Sequence, residues 1–206
     1  MQRRLVEHAG ALERLLDGFL GRFAYVGSRN LEAFTERFAT LLKATEIPRD
    51  PFHLLDTLGI AVERTVLVPP HRALWTREGG GYHIYCSRHD GAPAARFSLW
   101  HEMFEILAER PRFPSALAPQ AEQRLADRFA ACILMPAGPL REHAAGLLTN
   151  PSCLLAVLAC RFGVSLTAMR RRLRELDLPT GTSRWAGRHQ PPHPALGRSW
   201  PESLRG

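Results

Sequence analysis

His101, Glu102 and Glu105 stand at the spacing of a metal-hydrolase helix, within the run Arg96-Phe97-Ser98-Leu99-Trp100-His101-Glu102-Met103-Phe104-Glu105. In a hydrolase of the H-E-x-x-H kind, two imidazoles one helical turn apart face a single ion. The Glu after the first of them is the general base for the metal-bound water. Here the second imidazole position holds a carboxylate, Glu105. Side chains four residues apart share a helix face, so His101 and Glu105 are candidate metal ligands. Glu102 projects about a third of a turn away and is the candidate catalytic base. A carboxylate on a helix is more often a solvated surface charge, so the spacing alone leaves that alternative open.

These residues need a helix to carry them and partners to wall a site. Ala95 to Glu109 reads as that helix, closed by Arg110-Pro111. Gln120 to Leu134 is the next, with Leu125, Phe129, Ile133 and Leu134 on its apolar side, and a shorter helix follows near Leu140 to Leu147. Upstream, helical spacing marks Arg3 to Phe23 and Leu31 to Thr45. Asp50 caps a third helix that begins with Pro51 and ends at Gly59. Between these and the His101 helix the pattern turns to β-branched and aromatic residues. Ile60 to Val68, Ala73 to Thr76 and Tyr82 to Cys86 are predicted strands, the last two joined by Gly79-Gly80-Gly81. Together they predict a small, mostly antiparallel sheet.

Composition bounds the remaining choices. A chain of 206 residues with 45% apolar and 23% charged residues suits a globular protein with a real core. The sequence contains no apolar run of membrane-spanning length and no secretory leader pattern, so a cytoplasmic location is expected. Cys86, Cys132, Cys153 and Cys160 have no metal or disulfide rhythm and read as small buried hydrophobes. The net charge of +7 is concentrated late: residues 161–206 hold nine arginines against three acids. Within them, residues 154–176 have the pattern helix, Gly163 turn, then a helix capped by Ser165. That helix carries Arg170, Arg171, Arg172 and Arg174, candidate nucleic-acid contacts. Against that role, Leu166, Met169, Leu173 and Leu176 form a stripe that must be buried. The last residues, 179–206, are rich in Pro, Gly, Ser and Arg and read as a disordered basic tail.

The stretch Arg96 to Glu102, followed by Ala126-Asp127-Arg128-Phe129-Ala130-Ala131-Cys132-Ile133-Leu134-Met135-Pro136, resembles the ImmA/IrrE family of metallopeptidase-like proteins. That family's motifs run R-F-[ST]-x-x-H-E-x-x-H and E-x-x-A-[ND]-x-F-A-A-x-x-L-M-P. The likeness spans about residues 40–178, with Leu58-Gly59-Ile60-Ala61-Val62 and Arg161-Phe162-Gly163-Val164-Ser165 as further matches. It implies an α+β fold with a zincin-like core. In domain terms this means N-terminal helices (1–47), the core (48–150), a C-terminal helical subdomain (151–178) and the tail (179–206).

The resemblance also implies a third zinc ligand in the second motif, where this chain offers Gln123, a poor ligand, or its neighbour Glu122, a good one on a different helix face. A set of His101, Glu105 and Glu122 is harder than the usual one and admits manganese or iron as well as zinc. Two protein ligands alone would seldom hold zinc at cellular levels, leaving a catalytically silent binding module. Tyr82, His83 and Tyr85 fall where related peptidases present an edge strand to an extended substrate. The implied function is regulatory: an intracellular protein acting on a helix-turn-helix repressor, its metal-dependent peptidase activity weakened or lost. Alternatives are a non-catalytic binder using the same groove and a DNA-binding protein working through residues 154–176.

Overall fold

The computed structural model describes residues 2–44, 46–116, 118–147 and 153–180; the expected basic tail lies almost wholly outside these residues. Among these residues eight helices and three strands follow in the order α1 (Gln2–Leu20), α2 (Leu31–Leu41), α3 (Pro51–Thr57), β1 (Ala61–Thr65), β2 (Ala73–Glu78), β3 (Gly81–Ser87), α4 (Ala92–Ala108), α5 (Pro119–Leu134), α6 (Ala137–Gly146), α7 (Leu154–Phe162) and α8 (Leu166–Glu175). The class is α+β, as the sequence implies. Among the described residues no helix is long and apolar enough to cross a membrane.

The core is built around α4 and α5. On α1, Leu12, Leu16, Phe19 and Leu20 recur at helical spacing and are buried; on α2, Leu31, Phe34 and Phe38 are fully so. Rings of α2 and α4 converge on Phe129 of α5, whose centroid lies 5.4 Å from Phe104, 5.7 Å from Phe38, 6.1 Å from Phe34 and 6.5 Å from Trp100. Such tilted and edge-on pairs each add about 0.5–1.5 kcal/mol beyond area burial. Phe129 follows Asp127 by two residues, which is 200° around a helix. The aromatic anchoring therefore turns the Gln123 and Asp127 side of α5 away from the core.

The sheet order is β1-β3-β2, with β1 parallel and β2 antiparallel to β3. The antiparallel half follows from the Gly79-Gly80 turn, whose φ values of +58° and +84° suit a tight two-residue hairpin. The other half, parallel, makes the sheet less antiparallel than the sequence predicts. β1 ends at Thr65, and residues 66–72, which include Pro69 and Pro70, carry the chain across to the far edge. This leaves β3 in the centre and β2 at one edge.

Two arginines fasten the end of α5. Arg49 donates from Nη1 to the Ile133 carbonyl at 3.2 Å, and Arg172 from Nε to the Met135 carbonyl at 3.0 Å. These carbonyls have no intrahelical partner. Each guanidinium is in turn paired with α2, Arg49 with Glu36 at 3.4 Å and Arg172 with Glu32 at 2.6 Å. Arg172 is only 1% exposed, so it binds α8 to the core and is not a surface contact for nucleic acid. Arg170, Arg171 and Arg174 are exposed. Gly163 ends α7 at φ +64°, and a Cβ there would lie 2.9 Å from Arg96 Nη1 and 3.1 Å from Pro48 Cβ. Ser165 then caps α8, its hydroxyl accepting from the Ala168 N–H at 3.1 Å.

Candidate functional site

A cleft of about 1150 Å³ lies between the β2 edge, α4, α5 and α8, and His101, Glu102 and Glu105 line it. The α4 helix is buried on most of its circumference, so Phe97, His101 and Glu105, one turn apart, form its open side. From α5, Gln123 and Asp127, also one turn apart, face them across the cleft.

His101 is held at both ring nitrogens. Its Nδ1 is 2.9 Å from Asp127 Oδ1, and its Nε2 is 3.2 Å from Gln123 Oε1 and 3.3 Å from Glu105 Oε1. The Gln123 amide nitrogen donates to the same Glu105 oxygen. Burial is the largest influence on the imidazole and favours its neutral form. The hydrogen bonds and charges of Asp127 and Glu105 together outweigh it and raise the pKa to about 10. Glu105 is lowered, first by its bond to His101 and then, against burial, by donors from Gln123 and Trp75. Glu102 is 7% exposed; burial, with the charge of Glu105 added, raises it to about 7 despite nearby His101.

The structure thus unites His101, Glu102 and Glu105, whose ligand atoms all lie within 4.8 Å of one another. It sets Gln123 against them in place of Glu122. Glu122 is half-buried, its pKa raised first by burial and then by the charges of Glu105 and Glu109.

Tyr82, His83 and Tyr85 do not present an edge. β3 is hydrogen-bonded on both sides, so their main chain is already paired. Tyr82 is buried, its hydroxyl accepting from Arg110 Nη1 at 3.1 Å. His83 and Tyr85 stack at 4.3 Å, and the Tyr85 hydroxyl donates to Glu78. The edge that borders the cleft is β2, with Leu74 and Trp75 in its lining. Sequence reasoning also missed Asp127 as a partner of His101. Its place four residues after Gln123 was the available signal.

A catalytic zinc needs three protein ligands and an open fourth position. The donors here do not fit it. One imidazole and one carboxylate come from α4, the facing helix offers a neutral amide, and the acceptors around His101 Nε2 are oriented for an N–H. Glu102 completes a His/Glu/Glu group only by giving up the role of base.

These features define a metallopeptidase-like α+β domain with an altered ligand set. The chain matches Peptidase_M78, the IrrE N-terminal-like domain, over residues 57–174, more than half its length, and belongs to that family. Its fold is similar to that of a solved Mycobacterium tuberculosis transcriptional regulator, with a TM-score of 0.53 and 20% identity. The similarity covers 78% of this chain and 50% of the regulator, so the chain spans half that protein's length. A comparison with curated proteins gives no match.

Proposed function

We propose that this chain is a regulatory protein of the ImmA/IrrE type that binds a partner protein, a helix-turn-helix transcriptional repressor, in the cleft beside α4, with its metal-dependent peptidase activity weakened or lost. In this reading residues 48–150 are the peptidase-like core and residues 151–178 the subdomain that walls the cleft. The observation that carries it is the His101–Gln123–Glu105 triangle, in which protein groups fill the positions a catalytic ion's ligands would turn towards the ion. Family membership and the regulator's fold support the regulatory half of the reading. Among the described residues β2 lies at an edge of the sheet, which supports the binding half, since an edge offers main-chain hydrogen bonds to an extended segment.

The test is complex formation with helix-turn-helix repressors of the same host, followed by mass spectrometry of the repressor. The expected result is a complex abolished by Ala131→Arg, which fills the cleft, with the repressor left whole or cut only slowly. Any cutting should cease in Glu102→Gln. Failure to bind any such repressor would overturn the proposal. Salt-dependent duplex binding that disappears when Arg170, Arg171 and Arg174 are neutralised would favour the DNA-binding alternative.

A further inference from the structure

Within the cleft reading above, the ring of contacts at His101 alternates donor and acceptor. The imidazole donates to Gln123 Oε1 and Glu105 Oε1, and the Gln123 amide N–H donates to Glu105. The amide's orientation follows from its neighbours, because the opposite flip would set its oxygen against the Glu105 carboxylate and its NH₂ against the imidazole N–H. Such a ring needs no cation at its centre.

The two substitutions that would turn it into an ion site act together. A histidine at 105 and a carboxylate at 123 would aim three acceptors at one point and leave them repelling unless a cation stood there. With Glu at 105 and Gln at 123 the same three positions satisfy one another. Either exchange alone breaks the alternation: a carboxylate at 123 faces the Glu105 carboxylate, and a neutral histidine at 105 puts a single nitrogen lone pair where one Glu105 oxygen accepts from both His101 and the amide.

We infer that the Gln123 carboxamide stands in for the metal ion, bracing α4 against α5 by hydrogen bonds, and that residues 105 and 123 jointly set the site against zinc.

The test uses the full chain as wild type, Gln123→Ala, Gln123→Glu, Glu105→His and the Glu105→His/Gln123→Glu double variant. Zinc affinity is read by competition with a chromogenic chelator, and the thermal midpoint with EDTA or zinc. The wild-type midpoint should be the same in EDTA and in zinc. Gln123→Ala should lower it equally in both, and Gln123→Glu should lower it in EDTA. Glu105→His should lower the EDTA midpoint without gaining the double variant's affinity. The double variant should bind one equivalent of zinc at least about a hundredfold more tightly than wild type, the upper end of what outer-shell changes alone achieve.

The inference is overturned if wild type takes up zinc as tightly as the double variant. It also falls if the double variant gains no affinity while its circular dichroism remains native, or if Gln123→Ala leaves the midpoint unchanged. None of these readouts involves a repressor, so failure to bind one counts against the proposed function alone.

Discussion

Two charged clusters sit on α5 and solve the same problem differently. At its C-terminal end, the buried Arg172 joins Glu32, Glu175 and the Met135 carbonyl. More than two turns upstream, His101 joins Asp127, Glu105 and Gln123 at the wall of an open cleft. A guanidinium keeps its proton at every physiological pH, so the first cluster is a fixed strut. An imidazole can lose its proton, here as pH rises through about 10, so the second can change state. A permanent charge serves where only position matters; a titratable one is placed where a ligand can reach it.

The largest expected effect breaks the strut. Arg172→Ala leaves the Met135 carbonyl without its donor and removes the tie to α2. Chemical denaturation should show a loss of about 3 kcal/mol, the low end for breaking a buried pair because Glu32 keeps access to water. An unchanged midpoint would erase the distinction between the clusters.

The next prediction sharpens the contrast in titration, for metal-free protein. The folded His101 pKa of about 10 lies above the ordinary 6.5. Its contribution to stability is therefore fully present below pH 6.5 and lost as pH rises through about 10. Proton NMR of the His101 ring should follow that titration, and Asp127→Asn should move it downwards. A pKa near 6.5 in wild type would show that Asp127 and Glu105 do not hold the imidazole.

Glu102 has the opposite sign. Its carboxyl is raised from 4.5 to about 7, so its ionisation costs stability as pH rises between those values. Glu102→Gln should stabilise the protein at pH 8 by on the order of 1–3 kcal/mol and have little effect at pH 4. Denaturation curves at the two pH values decide this, and equal effects at both would mean Glu102 is well hydrated. The smallest effect returns to the strut: Ser165→Ala removes the α8 cap and should cost about 1 kcal/mol.

Much of this organisation was legible in the sequence. Asp50 and Ser165 cap their helices as their types predict, accepting from Phe52 and Ala168. Gly163 takes the left-handed turn required of it, and the aromatic spacing of α1, α2 and α5 marks the core. These features depend on side-chain type and local period, which a chain carries wherever it folds. His101 and Glu105 on one helix face follow from the same 3.6-residue repeat.

What lies between elements was decided only in three dimensions. Nothing local distinguishes a β1 that pairs with β2 from one that crosses over to β3, so the edge passed unseen from β3 to β2. Arg172 looked like its exposed neighbours Arg171 and Arg174, because a buried guanidinium is recognised only by the carbonyl and carboxylates that meet it. Cys160, expected to be buried, is exposed, as the roll of α7 determined. The choice of Gln123 over Glu122 rested on the roll of α5, about 100° per residue, set by Phe129 packing among the rings of α2 and α4. Periodicity fixes which residues share a face; only packing against distant elements fixes what that face meets.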